Sequence, residues 1–254
     1  MILHGDYHTH TTYTHGKGTV EQNVKFAIQK GLKQIAITEH SFSHLAYGVT
    51  RGDYNLMRME IDKLNRKYKD IDIFCGLESN LISLDGQIDV SQKDRKALDI
   101  LVVGFHKSFK CPNIKTFFNF FVPNVLGIGR KSKKQIVRNT QAYIKAIENN
   151  EIDIIAHLKS NGCIVDPVAI AKVAKEHNTY IEFNGKRIDF TPTEIEGMVQ
   201  TGVKFIINSD AHKAEHVGCN HEGINIVEKY NIPYDQVVNL DKLPKFKYVN
   251  KNIK

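Results

Sequence analysis

Seven short apolar runs, ILHGDY, QIAIT, IDIFCGLE, LDILVVGF, IDIIAH, TYIEFN and KFIINS, recur along the chain with helical patterns between them. Runs this short, rich in Ile, Val, Phe and Tyr, predict strands, and stretches repeating apolar residues every three or four positions predict helices. The first helix starts at Thr19, where T-V-E-Q reads as a capping box, and carries Val20, Val24, Ile28 and Leu32 on one face with Gly31 near its stop. Further helices are predicted at 55–68, 132–149, 166–177 and 191–200, two of them announced by Asp166-Pro167 and by T-P-T-E at Thr191. Such alternation calls for an α/β fold with a parallel sheet. Seven strands favour a barrel-like sheet over an open doubly wound one, and no G-x-G-x-x-G or G-x-x-x-x-G-K-[ST] motif supports a nucleotide fold.

The chain has 254 residues, of which 41% are hydrophobic, enough to bury the core of one large domain. No apolar run approaches the length of a membrane span, and the start MILHGD lacks the basic and apolar regions of a secretory signal. A cytoplasmic protein with no membrane partner is therefore expected. Cys75, Cys111, Cys163 and Cys219 lie far apart, which suggests reduced structural thiols rather than a zinc ribbon or a disulfide framework. The formal charge of +7 favours anionic partners without naming them.

The polar residues at the predicted strand ends carry the chemistry. His8 and His10 end the first strand, His40 the second, Glu78 the third, His106 the fourth, His157 the fifth, and Asp210 with His212 the seventh. In a β/α barrel the C-terminal strand ends converge on one rim. One histidine there is ordinary, but burying so many imidazoles and carboxylates together is costly without cations. His and carboxylate donors without Cys suit zinc, manganese or iron. Counting His15, the nine candidate ligands exceed the needs of one tetrahedral ion and suffice for two or three. Clustered divalent ions serve phosphoryl chemistry, so hydrolysis of a phosphate ester is expected.

Taken together, H-T-H at His8 to His10, His15, T-E-H at Thr38 to His40, G-L-E at Gly76 to Glu78, G-F-H at Gly104 to His106, His157, and S-D-A-H at Ser209 to His212 resemble the PHP (polymerase and histidinol phosphatase) family. The likeness covers nearly the whole chain and looks strongest to the small bacterial stand-alone members. It implies a distorted, TIM-like (β/α)7 barrel over residues 1–254, with the metal site at the C-terminal rim. It also implies up to three ions, zinc ahead of manganese or iron: His8, His10, Glu78 and Asp210 around one; Glu78, His106 and His157 around a second; His15, His40 and His212 around a third. Two departures stand out. Glu39 occupies the place of an Asp found in many members, and the interval from His10 to His15 is one residue shorter. Glu39 is read as a catalytic-site acid that orients a ligand or a bound water.

Phosphate recognition is assigned to the sixth strand end, EFNGKRID, where Arg187 offers a planar fork and Asn184 a hydrogen-bonding amide; Lys107 is a further candidate. His44, His216 and His221 follow the motifs closely and receive no role. Between Ile100 and Ile147 there is no Asp or Glu, while Lys107, Lys110, Lys115, Arg130, Lys131, Lys133, Lys134, Arg138 and Lys145 all fall there. With Phe117, Phe118, Phe120 and Phe121 this segment reads as a basic, Phe-rich insertion at about 107–138. A lid over substrate, a single-stranded nucleic-acid surface, a contact for another subunit, and a helix with its Phe side chains in the core all remain open for it. The expected activity is hydrolysis of a phosphate monoester of a small molecule by a metal-activated hydroxide, histidinol-phosphatase-like; the alternative is a nuclease or other phosphodiesterase. The basic C-terminal stretch KLPKFKYVNKNIK is expected to fray in part.

Overall fold

The computed structural model describes residues 1–248. All seven expected strands form: β1 (Gly5–Asp6), β2 (Gln34–His40), β3 (Asp72–Asn80), β4 (Ile100–Gly104), β5 (Ile154–Ile155), β6 (Tyr180–Asn184) and β7 (Phe205–Asn208). Each pairs in parallel with the next, so strand order follows the chain. The helices are α1 (Val20–Gln29), α2 (Arg51–Lys67), α3 (Gln92–Arg95), α4 (Ile114–Thr116), α5 (Lys133–Asn149), α6 (Pro167–Glu176), α7 (Pro192–Thr201) and α8 (His221–Lys229). Among the described residues, none is long and apolar enough to cross a membrane.

The caps read from the sequence are formed. Thr19 and Gln22 satisfy each other's backbone N–H groups at the start of α1, and Thr191 and Glu194 do the same for α7. The Asp166 side chain accepts from Val168 and Ala169, with Pro167 beginning α6. Helix α2 starts at Arg51, earlier than expected, because Thr50 caps the Asp53 N–H and makes the R-G-D turn helical.

A closed sheet needs β7 to meet β1. Toward the rim, Thr9 bridges Ala211 in parallel, and Tyr7 N–H donates to Asn208 Oδ1 at 2.9 Å. At the opposite end, residues 237–240 wedge between the two strands. Asn239 accepts from Ile207 N–H at 3.1 Å and donates to the carbonyls of Gly5 and Ile207 at 3.0 and 2.6 Å. The seam is thus bridged largely by side chains, which is how seven strands complete a barrel that distorts there.

Alternation along the strands sorts the core. Ala36, Phe74, Ile100, Val102, Ile154 and Ile206 form one cluster, while Ile35, Ile37, Ile73, Leu101, Val103, Ile155 and Ile207 pack in a larger one with the helices. Phe246 joins the first cluster against Tyr7 and Phe74, and Lys247 N–H donates to Asp153 at 2.8 Å. The C-terminal stretch is docked as far as Tyr248, because Phe246 has an apolar floor to cover; residues 249–254, the rest of the stretch expected to fray in part, lie outside the described residues.

The basic insertion is folded. From α4 the chain continues as a π-helical stretch, Phe117–Leu126, that includes Pro123 and stops at left-handed Gly127. Phe120 is fully buried against Phe105 and Phe109, whereas Phe118 is 61% exposed. Asn124 and Asn139 exchange amide hydrogen bonds, pinning the stretch to α5. The core reading of the Phe run thus holds for Phe120 and fails for Phe118.

Candidate metal centre

The inward parity that places Ala36, Phe74, Val102 and Ile206 in the barrel cluster continues toward the rim as His40, Glu78, His106 and Asp210. Period-two alternation therefore aims these donors at one point. His8 and His10 rise beside them from the segment after β1, held by a backbone bond from His10 N–H to Ala211 at 2.8 Å. Two donors sit on strained backbone, His157 at φ 31° and Asp210 at φ 51°, where side chains of L residues are uncommon. A Cβ at Gly104 would stand 2.5 Å from the His157 ring, so the glycine of G-F-H leaves room for that imidazole.

Glu78 lies at the centre. Its Oε1 is 2.7 Å from His157 Nε2, 3.2 Å from His106 Nε2 and 3.4 Å from His8 Nε2; its Oε2 is 2.8 Å from His40 Nδ1 and 3.6 Å from His10 Nε2. Asp210 Oδ1 is 3.3 Å from His212 Nδ1 and 3.6 Å from His10 Nε2. Burial raises the Glu78 carboxyl, but the rings of His106, His8 and His40 outweigh it and hold it well below the usual carboxylate range. Burial, helped by His40, drives His10 well below the ordinary histidine value, so its ring is a neutral donor.

His157 Nε2 and Glu78 Oε1 are hydrogen-bonded, but much of the remaining proximity is not hydrogen bonding. His8 Nε2, both ring nitrogens of His10, His15 Nδ1, His40 Nδ1 and Glu78 Oε2 are buried without a hydrogen-bond partner, although His40 Nδ1 and Glu78 Oε2 are close. Lone pairs that converge without donors between them are what a cation site requires. Four triads converge within 4.8 Å: His8, His10 and Asp210; His8, Glu78 and His157; His40, Glu78 and His106; and His10, His40 and His212. Eight of the nine expected donors are in these triads. His15 is beside them, its ring stacked 4.9 Å from His40 and edge-on 4.3 Å from His212. The residues present fit divalent cations bound by nitrogen and oxygen.

An open cavity of about 510 Å³ lies above, with Glu78, Asp210 and several of these rings in its floor. Arg187 reaches its wall, its Nε bonded to Asp189 at 2.8 Å. Asn184 also reaches it, but as a structural amide rather than a free one: Nδ2 donates to Glu182 and Asp210, and Oδ1 accepts Lys186 N–H. Lys107 is exposed and outside the cavity: past the end of β4 its side chain stays in solvent, while Phe105 and Phe109 on either side of it enter the core. Glu39 is fully buried behind His10, not in the cavity wall. Its carboxylate accepts from Thr11 N–H and Oγ at 2.6 and 2.5 Å and from the Thr14 hydroxyl, which shapes the loop carrying His15. No residue of 107–138 lines the cavity, so the insertion is not a lid in this conformation.

Four participants received no role from the sequence. Lys186 Nζ, in the cavity wall, is 3.1 Å from Asp210 Oδ1 and 2.8 Å from His212 Nδ1. His44 and Tyr47 form another wall, Tyr47 stacking on His15 at 4.4 Å. Glu182 lies beneath His8. Its signal was available, since a carboxylate two residues before Asn184 in TYIEFN shares the inward parity.

The PHP domain model matches residues 6–240. The chain belongs to the PHP family. It is similar to a probable phosphatase of Caldanaerobacter subterraneus subsp. tengcongensis, 28% identical over 95% of this chain and 89% of that protein. It is also similar to the DNA polymerase/3'-5' exonuclease PolX of Bacillus subtilis, 26% identical over 89% of this chain but only 37% of that protein. In fold it matches histidinol phosphate phosphatase from Lactococcus lactis subsp. lactis, solved with zinc, L-histidinol and phosphate, with TM-score 0.66 and 17% identity over 96% of this chain and all of that one. That likeness bears out the (β/α)7 PHP architecture.

Proposed function

We propose that this PHP protein is a metal-dependent phosphatase acting on a phosphate monoester of a small molecule. One observation carries the reading: buried His and carboxylate donors with unpartnered lone pairs form the floor of a cavity whose wall presents Lys186 and Arg187. The donor set suits zinc, with manganese or iron as alternatives, and supports up to three ions, His15 completing a third site with His40 and His212. Divalent ions held there would polarise phosphoryl oxygens and make water a better nucleophile.

The chain's own residues supply the rest. Arg187 is held at Nε by Asp189, which leaves its terminal fork as the group to meet phosphoryl oxygens. The Lys186 ammonium, next to Asp210, adds a second positive charge at the same wall. Ser160 donates to the same Asp189 at 2.7 Å, so the β5 and β6 loops are fixed relative to each other. Glu39 shapes the Thr11 to Thr14 loop next to His10 rather than touching substrate.

Similarity to probable phosphatases over nearly the whole chain supports this choice, and the L-histidinol and phosphate in the Lactococcus structure put histidinol phosphate first among substrates to try. The similarity to PolX and the basic Phe-rich segment favour a phosphodiesterase as the second reading. The test is turnover of an aryl phosphate monoester and the matching diester by protein loaded with zinc or manganese, with His10→Ala as control. Monoester turnover that His10→Ala abolishes is expected. Turnover of the diester alone, lost in the same variant, would put the phosphodiesterase first.

A further inference from the structure

Glu182 is a buried carboxylate, 1% exposed, outside the cavity wall and outside the four donor triads. We propose that Glu182 is a positioning residue that sets the tautomer and aim of His8 before any ion binds, and ties that donor to barrel closure; this rests on the metal-centre reading above.

Four donors meet its two oxygens. Oε1 takes His8 Nδ1 at 2.8 Å and Asn208 Nδ2 at 3.0 Å; Oε2 takes His157 N–H at 2.9 Å and Asn184 Nδ2 at 3.0 Å. An ionised carboxylate only accepts, so the shared hydrogen must reside on His8 Nδ1. A neutral His8 then presents a bare lone pair at Nε2, the atom buried without a partner. That atom faces Glu78 Oε1 at 3.4 Å and Asp210 Oδ1 at 3.8 Å. Glu182 thus selects which nitrogen faces the ions and forbids the other tautomer, which would leave a lone pair against a carboxylate.

The same carboxylate fixes two further parts. Its bond to His157 N–H holds the strained φ 31° turn from which that ring reaches Glu78. Its bond to Asn208 Nδ2 leaves Asn208 Oδ1 to accept Tyr7 N–H at 2.9 Å, one of the links joining β7 to β1. Donor placement and closure therefore share one residue on β6, a strand that supplies none of the four triads.

The test begins with the unaltered protein, stripped of metal and labelled with 15N-histidine, His8 being assigned through His8→Asn. Burial disfavours a charged His8 ring, but the carboxylates of Glu182, Glu78 and Asp210 outweigh it and favour double protonation, so the spectra are followed upward in pH until His8 is neutral. A hydrogen on Nδ1 is then expected, and a neutral ring with its hydrogen on Nε2 would overturn the proposal without bearing on whether metal binds. Glu182→Gln puts an amide NH2 against two donors whichever way it lies. Its zinc affinity, read by competition with a chromophoric chelator, is expected to fall about 10- to 100-fold, the usual cost of losing such a partner. Asn208→Ala, which breaks the closure bond but leaves His8 on Glu182, should lower thermal stability and leave zinc affinity near the original. Equal affinity losses in both variants, or a folded Glu182→Gln that binds zinc as before, would overturn the positioning role. Should Glu182→Gln not fold, the His8 tautomer decides. A failure of the unaltered protein to bind zinc, manganese or iron would count against the metal centre instead.

Discussion

At the level of single residues, Arg187 and Glu39 illustrate how burial decides what a charged group does. Arg187 is largely exposed, yet Asp189 orients it. Arg187→Ala should raise KM for a phosphate monoester about tenfold, the weight of a charge-assisted hydrogen bond, with a smaller change in kcat. Steady-state kinetics check this, and an unchanged KM would remove Arg187 from the phosphate contact. Glu39 is the opposite case. Burial pushes its carboxyl up to about 7, against the pull of bonds from Thr11 and Thr14. With the folded value above the ordinary 4.5, the folded state keeps a proton that the unfolded state has released. That contribution to stability is complete below about pH 4.5 and is lost as pH rises through about 7. Glu39→Gln keeps the Thr11 bonds through its amide oxygen, so the metal-free variant should show a flatter dependence of Tm on pH across that window. Thermal melts of metal-free protein at several pH values measure it; an identical slope in the variant would mean that Glu39 is ionised throughout.

Among the elements, the insertion divides cleanly into anchor and surface. Phe120 has aromatic partners on two sides, so Phe120→Ala should cost about 3 to 5 kcal/mol. Phe118 points outward, and Phe118→Ser should fall within about 0.5 kcal/mol of the unaltered protein. Urea unfolding of both variants tests the division, and comparable losses would mean that Phe118 is covered in solution. Helix boundaries were legible where a capping side chain announces them, as at Thr19, Ser132, Asp166 and Thr191. The π-helical stretch was not, because four Phe within five residues leave no apolar period to read and tertiary anchoring of Phe120 chooses the winding.

For the molecule as a whole, closure and donor placement depend on one another. The seam between β1 and β7 relies on Asn208 and Asn239, and the donors after both strands flank it. Asn239→Ala leaves backbone groups of Gly5 and Ile207 without partners and should cost about 3 kcal/mol, read by chemical denaturation. Ions that bind only the folded barrel stabilise it by mass action. Removing them with a chelator should therefore lower Tm by several degrees or more, and restoring zinc or manganese should return it. A Tm indifferent to chelation would mean that these donors take no ion in the folded protein.

The sequence by itself determined the strand count, the parallel alternation, most helix starts and the clustering of donors at strand ends, because each rests on local periodicity and local hydrogen bonding. Glu78, His40, His106 and Asp210 were legible for the same reason: parity and position within a strand assign the face and the rim. Only the tertiary structure decided which groups touch. It turned Lys107 to solvent, occupied the Asn184 amide internally, moved Glu39 behind His10, and brought Lys186, His44, Tyr47 and Glu182 to the site. Those outcomes depend on contacts between residues far apart in the chain, where distance and desolvation, rather than residue type, set the role of a charged or polar group.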